Sequence, residues 1–128
     1  MKKKKYNFKD LLNIMSKIRK KCPWDRKQTN KSILKYLKEE TKEFVKEVEN
    51  ENYEGMKEEL GDILWQVVFH SQILKERKIF TIDDVIDKLC RKMIRRHPHV
   101  FGNKKIKDEN EVIESWEEIK KREKENPY

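Results

Sequence analysis

The amino-acid sequence predicts an all-α fold. Apolar residues recur every three or four positions along most of the 128 residues, as they do on the buried face of a helix. No stretch alternates apolar and polar residues for long enough to predict a strand, and the chain has only three glycines. A hydrophobic content of 35% is low for a self-sufficient globule, so the composition favours helices that share their core with a second chain.

The first helix is predicted from Phe8 to about Lys20, with Asn7 as its N-cap, after a basic tail over residues 1–6 that we expect to be disordered. Pro23 ends this helix and opens a polar loop, CPWDRKQT, over residues 22–29. Trp24 in this loop either fills a gap in the core, which is the commoner use of such a residue, or offers a stacking surface for a flat ring.

Two long helices follow. The second helix is predicted to begin between Thr29 and Ser32 and to end near Glu49, and the third to run from Tyr53 to about Lys78. The third helix is apolar nearly all round after its first turns, which indicates that neighbours bury it on several sides.

A fourth helix is predicted to open at a T-x-x-D capping signal, Thr81 with Asp84, and to end near His97, because Pro98 disfavours helical geometry at the preceding residue. The last helix begins near residue 108. We expect His97 and His99 to cap a helix or pack in a loop, because no third histidine or cysteine stands at zinc spacing. Neither a repeat nor a linker divides the chain, so residues 1–128 are predicted to form one domain.

Two acidic pairs on neighbouring helices carry the main indication of function. Glu40 and Glu43 lie three residues apart on the second predicted helix, and Glu59 and Asp62 lie three apart on the third, so each pair projects from one side of its helix. In a chain that is 44% charged, such a pair alone often forms only a solvated face.

The surroundings of the second pair favour metal binding over a solvated face. Glu59 and Asp62 begin a polar ridge that continues through Gln66 and His70 along an otherwise apolar helix. A carboxylate carried into a packed interior is costly unless it is paired or bound to a metal. Mg²⁺ prefers carboxylate oxygens, and Mn²⁺ is a plausible substitute, so the pattern predicts a hard divalent cation between the two pairs.

The formal net charge of +8 is compatible with nucleic acid, an anionic membrane or a polyanionic small substrate as partner, and equally with lysine-rich solvated helix faces. A basic ridge on the fourth helix, Lys92 with Arg95 and with Arg96 beside it, would suit phosphate oxygens that a metal does not hold. No apolar run reaches the length of a membrane span, and the two cysteines show neither disulfide nor metal spacing. We therefore expect a cytoplasmic protein without a membrane partner.

Six segments, in this order and spacing, resemble the MazG-type nucleoside triphosphate pyrophosphohydrolases: CPWDRKQT, EETKE, EELGD, QVVFH, RRHPHVFG and SWEEIK. The acidic signature of that family is E-E-x-x-E, a variable gap and E-x-x-D. Here it is Glu39-Glu40-x-x-Glu43, fifteen intervening residues, and Glu59-x-x-Asp62. The resemblance covers roughly residues 8–124.

The resemblance implies Mg²⁺-dependent hydrolysis of nucleoside triphosphates to the monophosphate and pyrophosphate, as a control on the nucleotide pool. It also implies a four-helix-bundle-like core completed by dimerisation, hence a homodimer or a tetramer. The implied metal ligands are Glu40, Glu43, Glu59 and Asp62, with Glu39 in a supporting role. The implied substrate contacts are Lys92, Arg95 and Arg96 for the phosphates, Trp116 and Lys120 for the nucleotide, and Trp24 and Gln28 at the border of the base pocket.

One alternative belongs to a different class. A basic helical dimer could bind nucleic acid or regulate a partner without catalysis, its carboxylates forming a solvated face. Nucleic-acid binding of that kind predicts steep salt dependence and no need for a divalent metal. No helix-turn-helix signature or RNA-binding aromatic motif in the sequence supports it.

Overall fold

The computed structural model describes residues 5–126, and residues 1–4 of the predicted basic tail lie outside that range. The described residues contain helices and no strand, which confirms the predicted all-α class. The helices are α1 (Phe8–Lys21), α2 (Pro23–Lys27), α3 (Leu34–Glu49), α4 (Tyr53–Glu76), α5 (Ile82–Arg96), α6 (Pro98–Phe101) and α7 (Glu109–Glu125). They divide into two compact units, one that ends at Ile82 and one that begins at Asp83.

Side-chain caps fix where the longer helices begin. The Asn7 side chain accepts a hydrogen bond from the backbone of Asp10 at 3.0 Å, and the Asp10 carboxylate accepts one from the backbone of Asn7 at 2.9 Å, which completes a capping box at α1. Asn52 caps α4 and Asp108 caps α7 through the same kind of bond to the third helical residue. These caps satisfy backbone N–H groups that a helix start otherwise leaves without partners.

The core of the first unit lies where α1, α3 and α4 meet. Its fully buried members are Met15 from α1, Ile33 just before α3, and Val68, Phe69 and Ile73 from α4. Helices α3 and α4 pack along each other, and the short turn over residues 50–52 makes them antiparallel. Residues early in α4 therefore lie beside the middle of α3, while residues late in α4 lie beside its start.

Arg19 ties the segment after α1 to the end of α4. Its guanidinium donates to the Glu76 carboxylate at 2.6 Å and to the backbone carbonyl of Gln28 at 3.1 Å, and its side chain is only 9% exposed. The CPWDRKQT segment is thereby held against the first unit, although most of its own side chains are exposed.

Part of α4 remains apolar and exposed. Leu60, Leu64 and Val67 keep 51%, 41% and 39% of their surface exposed to solvent, and their spacing places them on one stripe of the helix.

None of the helices within residues 5–126 combines the length and the apolar character that a bilayer-spanning segment requires.

The second unit is held together by charged and aromatic contacts between α5 and α7. Arg95 and Arg96, at the end of α5, both bind the carboxylate of Glu123 on α7. His97 lies with its Nδ1 atom 2.6 Å from the backbone carbonyl of Met93, so this histidine caps α5 as the sequence predicts.

The structure differs from the sequence prediction in its loops. Pro23 and Pro98, expected only to end helices, each occupy the first turn of a short helix, where a proline loses no hydrogen bond. Helix α4 ends at Glu76, two residues before the predicted end, and Lys78 has a positive φ of 59°. Trp24 is 50% exposed and touches Tyr36 edge-on, so it does not fill a gap in the core.

Candidate functional site

Three of the four predicted metal ligands converge. Glu40 of α3 and Glu59 and Asp62 of α4 each offer a carboxylate oxygen, and these three oxygens all lie within 4.8 Å of one another. The antiparallel packing of α3 and α4 creates this meeting, because it brings the middle of one helix to the first turns of the other.

The cluster carries more negative charge than its surroundings neutralise. The pKa of Glu40 is raised from 4.5 to about 7, chiefly by its hydrogen bond to Glu59, then by burial and by the charge of Asp62. The Oε2 atom of Glu59 is buried and has no hydrogen-bond partner among the described residues. Converging carboxylates with an unpaired buried oxygen fit a hard divalent cation, which would supply the missing positive charge.

The two remaining acidic residues of the signature stand apart. Glu43 is exposed one turn further along α3, and the structure does not bring its carboxylate into the group of three. Glu39 is exposed as well. Their predicted roles, as a fourth ligand and as a supporting residue, remain predictions.

In the second unit, the predicted phosphate-binding arginines already hold a carboxylate. Arg95 lies 2.7 Å and Arg96 2.8 Å from oxygens of Glu123, whose side chain is only 13% exposed. The two guanidinium groups hold the pKa of Glu123 down at about 2, with Arg96 contributing most. This geometry shows that the pair can bind an anionic oxygen group from two sides.

The predicted nucleotide-binding tryptophan belongs to the same group. The guanidinium of Arg96 lies 5.1 Å from the ring centre of Trp116, and the His97 ring meets Trp116 edge-on at 5.2 Å. Lys92 and Lys120 are half-buried in this unit. The arginine therefore contacts both an aromatic face and a carboxylate.

Residues of the CPWDRKQT segment bind one another. The Gln28 amide donates to the backbone carbonyl of Trp24 at 2.9 Å and accepts from the Ser32 hydroxyl at 2.7 Å. Their predicted place at the border of a base pocket remains a prediction.

Two polar contacts in the structure could not be predicted from the sequence. Asn30 binds the His70 ring across 40 residues of sequence, and Glu123 binds the arginines of α5. The sequence shows Gln66 and His70 as members of a polar ridge on α4. The sequence positions of Asn30 and Glu123 do not indicate which residues they contact.

Comparison with known proteins identifies the family to which the chain is similar. The sequence model described as "MazG nucleotide pyrophosphohydrolase domain" matches residues 28–101. The "Nucleoside triphosphate pyrophosphohydrolase/pyrophosphatase MazG" of Thermotoga maritima is 50% identical over 119 residues, which are 91% of this chain and 45% of that protein. The "Nucleoside triphosphate pyrophosphohydrolase" of Escherichia coli K12 is 39% identical over 117 residues, 89% of this chain and 44% of that protein.

A solved structure shares the fold. The crystal structure of a MazG-related protein from Thermotoga maritima superimposes with a TM-score of 0.76 at 27% identity, covering 88% of this chain and 98% of the other. The chain spans about a quarter to a half of the length of the curated relatives it matches. The family match extends over more than half of the sequence and includes both acidic pairs, and the chain therefore belongs to the MazG nucleotide pyrophosphohydrolase domain family.

Proposed function

We propose that this chain hydrolyses nucleoside triphosphates to the nucleoside monophosphate and pyrophosphate, with Mg²⁺ as its cofactor and Mn²⁺ as a possible substitute. The observation that carries the proposal is the convergence of Glu40, Glu59 and Asp62 within 4.8 Å in a chain of the MazG family. Two relatives that bear the name of this activity are 50% and 39% identical to the chain.

The metal site is built by α3 and α4. Glu40, Glu59 and Asp62 would hold the cation, and Glu43 would join them by rotating its exposed side chain from the next turn of α3. A divalent cation in such a site supplies positive charge for a phosphate chain and acidifies a water that it contacts. Glu39, beside the first ligand, would support the cluster and help accept the proton that the attacking water releases.

The substrate contacts of the second unit are proposed from the family resemblance. Lys92, Arg95 and Lys120 would stabilise the charge that gathers on the pyrophosphate leaving group. Arg96 would bind a phosphate, and Trp116 the nucleotide. The bond that Glu123 already makes to both arginines supports an anion-binding role for them.

We further propose that the chain works as a homodimer or a tetramer, in the cytoplasm, as a control on the nucleotide pool. The exposed stripe of Leu60, Leu64 and Val67 supports assembly, because a second copy of α4 packed on it would remove apolar surface from water. Paired helices from two chains would then form a four-helix-bundle-like core.

The test is pyrophosphate release by the purified protein with Mg²⁺ and a panel of nucleoside triphosphates. The wild-type protein should release pyrophosphate only when a divalent cation is present. Glu59→Gln should abolish the activity, because it removes a charged ligand, while the helical circular dichroism stays unchanged. Glu58→Gln is the matched control, since Glu58 is the exposed neighbour outside the cluster and its loss should leave the activity intact.

Two results would contradict the proposal. Full activity of the Glu59→Gln protein would show that the cluster is not the metal site. Absence of activity with every nucleotide, combined with salt-sensitive binding of nucleic acid that needs no metal, would favour the alternative of a basic binding module.

A further inference from the structure

Besides Oε2 of Glu59 in the acidic cluster, two further buried polar atoms on α4 have no hydrogen-bond partner among the described residues: Oε1 of Gln66 and Nε2 of His70. The Gln66 residue is only 8% exposed, so water does not reach it freely. Burial of a polar group without a partner is costly, so each such group in a native structure calls for an explanation. Two on the same helix, one turn apart, require a common explanation.

The contact with Asn30 identifies the tautomer of the His70 ring. The side-chain amide of Asn30 donates to Nδ1 of His70 at 2.8 Å and also reaches the backbone carbonyl of His70 at 3.4 Å. Because Nδ1 accepts, the ring proton resides on Nε2. Burial lowers the pKa of His70, which keeps the ring neutral. Beyond the acidic cluster, α4 therefore carries one unpaired acceptor, on Gln66, and one unpaired donor, on His70.

These two groups continue the face of α4 that carries the metal cluster. Asp62, Gln66 and His70 follow at four-residue intervals, so their directions around the helix differ by only about 40° from one to the next. Each interval advances by about 6 Å along the helix axis. Gln66 thus lies about 6 Å and His70 about 12 Å beyond Asp62 along the axis of α4, and His70 is the residue that contacts Asn30.

We propose that Gln66 and His70 form the subsite that binds the base of the nucleotide. This inference depends on the proposed function, because it places the phosphates at the acidic cluster. One sugar separates the base from the α-phosphate, which is a distance of the same order as that between the cluster and the two groups. The Watson–Crick edge of each nucleobase places a donor next to an acceptor, which is the complement of a glutamine oxygen and an imidazole N–H. The order of the two differs, because adenine and cytosine carry an exocyclic donor beside a ring acceptor, and guanine and uracil carry the reverse.

An acceptor on Gln66 and a donor on His70, both held in place by the fold, would also discriminate between bases. A site that is made to hydrogen-bond its ligand rejects a ligand that leaves the buried groups unpaired. Asn30 acts as a positioning residue, since its bond to Nδ1 keeps the proton on the ring nitrogen that faces the ligand. The competing explanation is an internal water that satisfies both groups and has no role in recognition.

The first experiment measures binding of the four nucleoside monophosphates, which the enzyme cannot hydrolyse, by calorimetry in the presence of Mg²⁺. The wild-type protein should bind the monophosphates of one donor–acceptor order, either adenine and cytosine or guanine and uracil, about tenfold or more tightly than the others. Gln66→Met keeps the size of the side chain and removes the acceptor, so the preference should collapse to less than threefold. Gln72→Met is the matched control, since Gln72 lies on the other side of α4 and donates to Glu76.

The second experiment needs no variant. In protein labelled with ¹⁵N-histidine, the Nε2 signal of His70 should move when the preferred monophosphate is added. Ribose 5-phosphate, which lacks a base, should not move it. An equal shift with ribose 5-phosphate would overturn the assignment to the base, as would an unchanged preference in the Gln66→Met protein, which is the result that an internal water predicts.

The outcomes also separate this inference from the proposed function. If wild-type protein releases pyrophosphate and Gln66→Met leaves the order of preferred nucleotides unchanged, only the base subsite is refuted. If no triphosphate is hydrolysed but the monophosphates bind with a base preference that Gln66→Met removes, the subsite stands and the hydrolytic function falls.

Discussion

Replacement of Glu40 by glutamine should stabilise the metal-free protein at alkaline pH and change it little in acid. Glu40 has a pKa of about 7 in the folded protein instead of 4.5, so the folded state binds its proton more tightly than the unfolded state does. The contribution of this group to stability is therefore complete below pH 4.5 and is lost as the pH rises through about 7. Glutamine cannot ionise, and the Glu40→Gln protein escapes that loss.

The difference between the pKa of 4.5 and the pKa of about 7 for Glu40 corresponds to about 3 kcal/mol in the free energy of unfolding, before solvent screening is considered. Solvent screening around the half-buried carboxyl group lowers the expected effect to about 1–2 kcal/mol. The assay is urea unfolding followed by circular dichroism, in EDTA, at pH 4.5 and at pH 8. The measured quantity is the free energy of unfolding of the variant minus that of the wild-type protein at each pH.

Excess Mg²⁺ at pH 8 should reverse the sign of this difference, because the wild-type protein gains binding energy that the variant lacks. Glu49→Gln, at an exposed position at the end of α3 and outside the cluster, is the matched control for the loss of one carboxylate. A Glu40→Gln difference that is equal at both pH values would refute the claim that the three carboxyl groups interact.

Three further predictions test other parts of the molecule. Met15→Ala should lower the free energy of unfolding by about 2–5 kcal/mol, since Met15 is fully buried and its removal leaves a cavity; urea unfolding measures the loss. Glu123→Gln should cost about 1–3 kcal/mol at pH 7, because it weakens the bonds to Arg95 and Arg96. The low pKa of Glu123 makes this cost present above pH 4.5 and lost as the pH falls toward 2, which unfolding in a pH series detects. Asp62→Asn should abolish the rise in melting temperature that Mg²⁺ gives the wild-type protein, as measured by thermal denaturation.

Each of these predictions has an outcome that contradicts it. A loss below 1 kcal/mol for Met15→Ala would mean that the core collapses around the cavity or that α1 is not part of it. A Glu123→Gln cost that persists unchanged in acid would assign the effect to packing instead of charge. If Asp62→Asn keeps the Mg²⁺ response, and Glu58→Gln behaves in the same way, the cation binds elsewhere.

The helices could be predicted from local patterns because their causes are local. The capping box of Asn7 and Asp10, the N-cap of Asn52 and the three- and four-residue spacing of apolar side chains all act within one or two turns. The short helices that begin at Pro23 and Pro98 were predicted as loops. A proline ends the helix before it and is also favoured in the first turn of a new helix, so the residue alone does not distinguish the two cases.

The candidate metal site was predictable in part. The spacing of Glu40 with Glu43 and of Glu59 with Asp62 places each pair on one side of its helix whatever the tertiary structure. The packing of α3 on α4 decided that Glu40 reaches the other two carboxylates while Glu43 remains exposed, because the side-chain directions of two helices relative to each other depend on how they pack.

The sequence by itself thus determined the fold class, the order of the helices and the residue types that a divalent cation requires. Only the tertiary structure decided that Asn30 binds the His70 ring and that Glu123 occupies the arginines of α5. The physical reason is the range of the forces involved. Helix formation and capping depend on neighbours a few residues away, whereas a hydrogen bond across 40 residues depends on the packing that brings its partners together, and no periodicity in the chain encodes that distance.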